Sequence, residues 1–245
     1  MSNIQFQDEQ GVRIITINRP DKRNALNLEM YARLTEYLIQ GESDNGINAF
    51  LLKGEGDCFT SGNDVADFLK NSDLGPNHPT VRFLFTLLDL TKPLVAAVAG
   101  PAVGIGTTLL LHCDLIYADN TAKFQLPFVN LALVPEAGAS LLLPRLIGQT
   151  KASELLLLGE AFDAHSALSM GLINDLLPSD ELMSHALSQS IKLAKKPPQA
   201  LRASRRLIRG DSKLIREQMQ KELEEFAVRL QSDEAKAQFN AFLSR

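Results

Sequence analysis

Leu94-Val95-Ala96-Ala97-Val98-Ala99-Gly100-Pro101-Ala102-Val103-Gly104-Ile105-Gly106-Thr107-Thr108 passes from an apolar run through a chain of small residues and back into apolar sequence. Leu94 to Val98 reads as a strand buried on both faces, Gly100 to Gly106 as a tight turn, and Thr107 to Cys113 as a buried helix. A strand without a polar face belongs in a sheet covered by helices, so this stretch predicts an α/β fold with its chemistry at strand-to-helix turns. Upstream, Val12 to Ile17 and Ala49 to Lys53 are short strand-like runs ending at Pro20 and Gly54. Between them Leu28 to Gln40 has helical spacing in Tyr31, Leu34 and Leu38. Downstream, Asp114 to Ala118 and Lys123 to Leu126 read as two more short strands.

Beyond residue 140 the pattern turns helical, with Leu141 to Leu143, Glu154 to Leu158 and Ala164 to Leu168 separated by Pro144, Gly148 and Gly159. Lys195-Lys196-Pro197-Pro198 is the candidate hinge, because proline removes a helix donor and pushes the preceding residue toward extended geometry. It divides the chain into a core of residues 1–195 and a C-terminal helical region of residues 196–245. In that region Glu217 to Leu230 is amphipathic, with Met219, Leu223, Phe226 and Leu230 on one face, a pattern for packing against the core or a neighbouring subunit.

The 245 residues are 45% hydrophobic and carry 25 Lys plus Arg against 29 Asp plus Glu, a net charge of −4. That balance predicts a soluble globular protein with neither nucleic acid nor a membrane as partner. Two cysteines, Cys58 and Cys113, without close spacing predict a reducing compartment and no thiolate metal site. The first residues lack the basic flank and apolar stretch of a secretory signal, and Leu243-Ser244-Arg245 is close to, but is not, the Ser-Lys-Leu peroxisomal address, so a cytoplasmic location is expected. The four histidines have no metal-ligand spacing, and His112, in an apolar segment, reads as a satisfied core residue.

Three segments carry candidate chemistry. Asn18 to Leu26 holds three cations in five residues, a basic turn that suits phosphates. Phe59 to Phe68 contains Ser61-Gly62-Asn63-Asp64, where Gly62 and Asn63 suit a strained backbone that turns N–H groups toward a ligand. Gly104-Ile105-Gly106 lacks the third glycine of a dinucleotide fingerprint, and no ribose-binding acid follows, which excludes nicotinamide and flavin. A turn of small residues ahead of a helix is still suited to a developing negative oxygen. In Val134-Pro135-Glu136-Ala137-Gly138 a carboxylate stands among apolar neighbours, which would raise its pKa toward the range of a proton shuttle. One acid/base group and backbone donors at two turns are a minimal set for enolate chemistry.

Together these segments resemble the crotonase superfamily (the enoyl-CoA hydratase/isomerase family) from Asn18 to Leu243. The resemblance implies a spiral of ββα units, a helical C-terminal region used in a homotrimer or dimer of trimers, and an acyl-CoA thioester whose oxygen lies between the N–H groups of Asn63 and Ile105. Lys22, Arg23, Ala25 and Leu26 would border the CoA moiety. Ser61, Gly62, Asp64 and Val65 would wall its pantetheine end, and Gly104 would also contact substrate. No separate cofactor is implied, since CoA arrives with the substrate. Hydratases of the family use two glutamates, at positions held here by Thr108 and Phe128, whereas peroxisomal-type Δ3,Δ2-enoyl-CoA isomerases carry one, where Glu136 stands. The resemblance therefore implies a 3-enoyl-CoA to trans-2-enoyl-CoA isomerase of fatty acid degradation. The alternatives are an enoyl-CoA hydratase or another crotonase-type reaction, and a non-catalytic acyl-CoA-binding subunit. Phe68, Phe83, Phe85 and Leu88 are candidates for the pocket floor.

Overall fold

The computed structural model describes residues 2–70 and 74–243. Ser244, Arg245 and the side chain of Phe68 lie outside the described residues. Six strands form one sheet in the order β1 (Ile4–Glu9), β2 (Val12–Ile17), β3 (Ala49–Gly54), β4 (Leu94–Val98), β6 (Leu115–Asp119), β9 (Asp175–Leu177). All neighbours are parallel except β1 and β2, which are joined through Gln10 and Gly11, both at positive φ. A smaller sheet orders β5 (Pro101–Val103), β7 (Lys123–Gln125) and β8 (Phe162–Asp163). The chain is thus α/β, as its apolar strands require.

The central strands are apolar on both faces because both are covered. Val12, Ile14, Ala49, Leu51, Val95, Ala97 and Tyr117 face α8 (Ser179–Ala194) through Leu182 and Ala186. The alternate residues Ile15, Ile17, Phe50, Leu52, Ala96, Val98 and Ile116 join the main core with α1 (Leu28–Ser43) and α3 (Pro79–Asp89). Helix α1 begins where Asn27 Oδ1 accepts the Met30 N–H at 2.9 Å, a side-chain cap that stabilises the first turn by about 1 kcal/mol. Helix α2 (Val65–Lys70) follows the Ser61 turn, and α4 (Ile105–Thr108) starts at Gly104. The predicted helix from Thr107 to Cys113 is instead this single turn followed by a 3-10 turn, Leu109–His112.

Helices α5 (Ala139–Ile147), α6 (Gln149–Leu158) and α7 (Ala164–Ser169) follow. Pro144 lies inside α5 and does not end it, contrary to the sequence expectation. Its missing N–H deprives only the Ser140 carbonyl, in the helix's first turn and half-exposed, so the helix continues to Gly148. The break at Lys195 to Pro197 separates α8 from α9 (Pro198–Arg209), α10 (Ser212–Leu230) and α11 (Asp233–Leu243). These helices return to the body: Ile215 and Met219 enter the main core, while Phe226, Leu230 and Phe239 pack with Leu126, Leu133 and Leu143. Arg205, buried on α9, donates to Asp114 at 2.8 Å, and Arg209 donates to the same carboxylate at 3.1 Å.

Candidate active site

The three motif segments are stitched together through their backbones. Thr60 N donates to Pro101 O at 3.0 Å and Val103 N returns a bond to Thr60 O at 3.0 Å. On the other side Leu26 N donates to Gly62 O and Asp64 N to Leu26 O, both at 2.8 Å. The buried Thr60 hydroxyl completes the junction, donating to Asn24 O at 2.7 Å and accepting from Gly62 N at 3.1 Å. A side chain at Gly62 would place Cβ 2.8 Å from Val103 O, so only glycine permits this approach. Loop 19–26 is itself held by buried Asn24, whose Oδ1 accepts the Arg19 N–H at 2.7 Å and whose amide donates to Glu55 O at 3.0 Å.

Asn63, Ile105 and Glu136 line one narrow cavity together with Tyr31, Thr80, Leu84, Leu223 and Phe226. The N–H groups of Asn63 and Ile105 donate to no acceptor among the described residues, which leaves both available. The Tyr31 hydroxyl, fully buried, donates to Asn63 Oδ1 and fixes that side chain. Glu136 is 6% exposed. Its Oε1 accepts from the Thr108 hydroxyl, while Oε2 is buried without a hydrogen-bond partner among the described residues. Burial pushes the Glu136 carboxyl up to about 8; the Thr108 bond opposes the shift and the charge of Glu222 adds to it. The burial expected of Glu136 is therefore present.

Residues 7–245 match the enoyl-CoA hydratase/isomerase family. This chain belongs to that family. It is 36% identical over 216 residues to the rat enoyl-CoA delta isomerase 2, covering 86% of this chain and 55% of that protein, so it spans only about half of that relative's length. It is 34% identical over 210 residues to the 2,3-dehydroadipyl-CoA hydratase of Escherichia coli K12, covering 85% and 82% of the two chains. Among solved structures, Pseudomonas aeruginosa OdaA matches with a TM-score of 0.95 at 41% identity over the full length of both chains. An enoyl-CoA hydratase/isomerase from Pseudoalteromonas atlantica T6c matches with a TM-score of 0.96 at 40% identity, covering 99% and 97%. The fold is accordingly the crotonase fold. No helix among the described residues is long and apolar enough to cross a membrane.

Against this family background the remaining site residues fall into two groups. Lys22 and Arg23 are exposed beside Ser61, whose N–H donates to Arg23 O at 3.0 Å. Ala25 and Val65 are half-buried. Leu26 is buried in the core and Asp64 is paired with Arg19 at 2.8 Å, so these two engage the protein through their side chains. Phe83 and Leu88 belong to the hydrophobic core and the Phe85 ring carries the Arg216 guanidinium, whereas the cavity wall is made by Thr80 and Leu84, one turn apart on α3. Of the two positions at which the resemblance implied hydratase glutamates, Phe128 is packed with Leu126, Leu133 and Leu143, and Thr108 is the hydrogen-bond donor to Glu136. Tyr31 and Thr60 were not expected at the site, and Thr108 was expected only as a position without a carboxylate; each is a neutral residue that sequence spacing cannot separate from ordinary core.

Two outcomes follow from the Glu136 environment. Thr108→Val removes the bond that favours the carboxylate, so the ionisation of Glu136 moves further up. Activity at pH 7 should fall while the plateau above the shifted ionisation is retained, as a pH-rate profile would register; an unmoved profile would dissociate Thr108 from Glu136. The second outcome concerns stability. The folded carboxyl, at about 8, holds its proton where the unfolded one, near 4.5, has lost it. The folded state therefore binds more protons between these values, and the contribution is fully present below 4.5 and lost as pH rises through 8. Glu136→Gln, neutral at every pH, should gain on wild type by about 2 to 5 kcal/mol between pH 4 and pH 9, measured by urea unfolding. An equal difference at both pH values would refute the burial argument.

Proposed function

We propose that this chain is a Δ3,Δ2-enoyl-CoA isomerase, and that the proton shuttle is Glu136. The observation that carries this reading is one buried carboxylate, with a free oxygen, sharing a cavity with two unengaged backbone amides. Glu136 Oε2 removes a proton from C2 of a 3-enoyl-CoA, and the electrons move into the thioester carbonyl. The Asn63 and Ile105 N–H groups hold the enolate oxygen, at the turns where no helical carbonyl claims them. The electrons then return, the double bond forms between C2 and C3, and the same carboxyl protonates C4. One group is sufficient because each proton is removed and restored in turn.

Hydration would need a second polar group to position water, and Thr108 and Phe128 supply no carboxylate. The Escherichia coli hydratase relative, matched over 82% of its length, keeps hydration as the second reading. The rat isomerase relative favours the first. The substrate is an acyl-CoA thioester, CoA being part of it, and Lys22 and Arg23 are the candidates for its phosphates. Assembly as a homotrimer or dimer of trimers, a cytoplasmic location and a place in fatty acid degradation belong to the same proposal. The test is conversion of 3-hexenoyl-CoA to trans-2-hexenoyl-CoA alongside hydration of crotonyl-CoA. Isomerisation with little hydration supports the proposal; dominant hydration transfers it to the second reading; binding of either thioester without turnover indicates a binding subunit.

A further inference from the structure

The turn after Glu136 is held in an uncommon conformation. Ala137 has φ +60° and Gly138 +75°, both are buried, and a residue with a Cβ adopts the left-handed region at a cost of about 1 to 2 kcal/mol. Two side chains distant in sequence grip this turn. From the 3-10 turn Leu109–His112, the buried His112 donates Nε2–H to Ala137 O at 2.7 Å. From α10, the buried Glu222 accepts the Gly138 N–H at 2.6 Å, the Ser140 N–H at 2.9 Å and the Ser140 hydroxyl. Gln218, one turn earlier on α10, donates to Ser140 Oγ at 2.9 Å. The backbone of His112 is secured in turn by Arg209, whose guanidinium donates to its carbonyl.

We propose that His112 and Glu222 are positioning residues that clamp the Ala137-Gly138 turn from opposite elements and so aim the Glu136 carboxyl into the cavity. This rests on Glu136 being the base. Glu222 does a second thing: Leu223 beside it and Phe226 one turn on along the same helix wall the cavity, so the anchor that fixes the base also fixes the covering helix. Burial lowers the His112 ionisation to about 4, so the imidazole stays a neutral donor through the working pH range. The groups facing Glu136 are the Tyr31 phenol from α1, the Thr108 hydroxyl from α4 and the Glu222 carboxylate from α10, and of these only Glu222 brings a charge.

The experiment compares His112→Leu, His112→Gln, Glu222→Ala, Glu222→Gln and Glu136→Gln in 3-hexenoyl-CoA isomerisation across pH, with binding of the unreactive hexanoyl-CoA and a thermal melt for each. His112→Leu should lose about 10- to 100-fold in kcat, the scale of an ångström of misplacement, while hexanoyl-CoA affinity changes little; Glu222→Ala should lose a similar factor in kcat and, because it also releases the covering helix, weaken hexanoyl-CoA binding. His112→Gln, whose amide donates from nearly the same position, should recover most of that loss. Glu222→Gln can keep the acceptor for Ser140, but it sets an amide NH2 against the Gly138 N–H and removes the charge, so kcat should fall and its pH-rate profile should move to lower pH. A clamp without catalytic effect would show as equal activity in His112→Leu and His112→Gln, or as losses that follow the melting temperature alone, and either result overturns the inference. If Glu136→Gln is inactive while His112→Leu turns over normally, only the clamp falls. If Glu136→Gln retains activity, the assignment of the base falls and the clamp falls with it.

Discussion

Glu136→Gln is expected to reduce kcat for 3-hexenoyl-CoA isomerisation by about 10² to 10⁴, the range supplied by a positioned acid/base group. The substitution is nearly isosteric. The Gln carbonyl can still accept from Thr108, and the cavity walls of Thr80, Leu84, Leu223 and Phe226 are untouched, so hexanoyl-CoA binding should survive. What disappears is a group that can take a proton and give it back. Since the wild-type carboxyl ionises at about 8, kcat/KM should rise roughly tenfold per pH unit below that value and level off above it. Residual activity in the variant should lose this pH dependence. A Glu136→Gln enzyme with a wild-type rate and profile would mean that the proton is carried by another group, and Tyr31, the other titratable residue lining the cavity among the described residues, would be the next to replace.

The same carboxylate illustrates what the linear sequence discloses. Glu136 stood out because it was charged in an apolar segment, and Leu94 to Val98 because apolar residues on both faces of a strand have one structural meaning. The two turns were legible through glycine, Gly62 and Gly104 both standing at positive φ, whereas the choice of Asn63 and Ile105 as donors came from the family resemblance alone. The missing parts were long-range or neutral. Strand β1 alternates too weakly, and α3, a clear helix in the structure, carries no capping side chain at its start. Thr108 was judged on its inability to act as a base, whereas its hydroxyl is the hydrogen-bond partner of Glu136. Glu222 lies 84 residues from Gly138, and on α10 its spacing is that of any polar residue between Met219 and Phe226. The hydrophobic face of α10 was legible as packing, but that Leu223 and Phe226 cover the site depends on where the chain returns after Pro198, which no local pattern encodes.

Gly104→Ala is the second large effect, because it attacks a backbone donor that no side-chain replacement at Ile105 can reach. Gly104 sits at φ +56° and ψ −117°, a region that L-residues occupy only under strain of about 1 to 3 kcal/mol. A Cβ built there meets nothing within 4 Å, so the substitution introduces no collision and its whole cost lies in the dihedral angles. Gly62 is a poorer probe, since its Cβ would strike Val103 O and push the two turns apart. At Gly104 the neighbouring bonds resist movement: its N–H is held by Gln125 O at 2.9 Å, and its carbonyl accepts Thr107 N and Thr108 N at 2.9 and 3.0 Å. The peptide between Gly104 and Ile105, the unit that carries the Ile105 N–H, is the one whose carbonyl those two bonds hold, so relieving the strain by rotating it breaks them and turns the Ile105 N–H away. Losing one oxyanion donor costs about 10² to 10³ in turnover, so kcat should fall by that factor while hexanoyl-CoA affinity and the pH profile of the remaining activity stay close to wild type, because Glu136 keeps its surroundings. That pattern, a lower kcat at an unshifted ionisation, separates the donor from the base. A Gly104→Ala enzyme with undiminished kcat would remove the Ile105 amide from the mechanism and leave Asn63 as the single donor to account for the enolate.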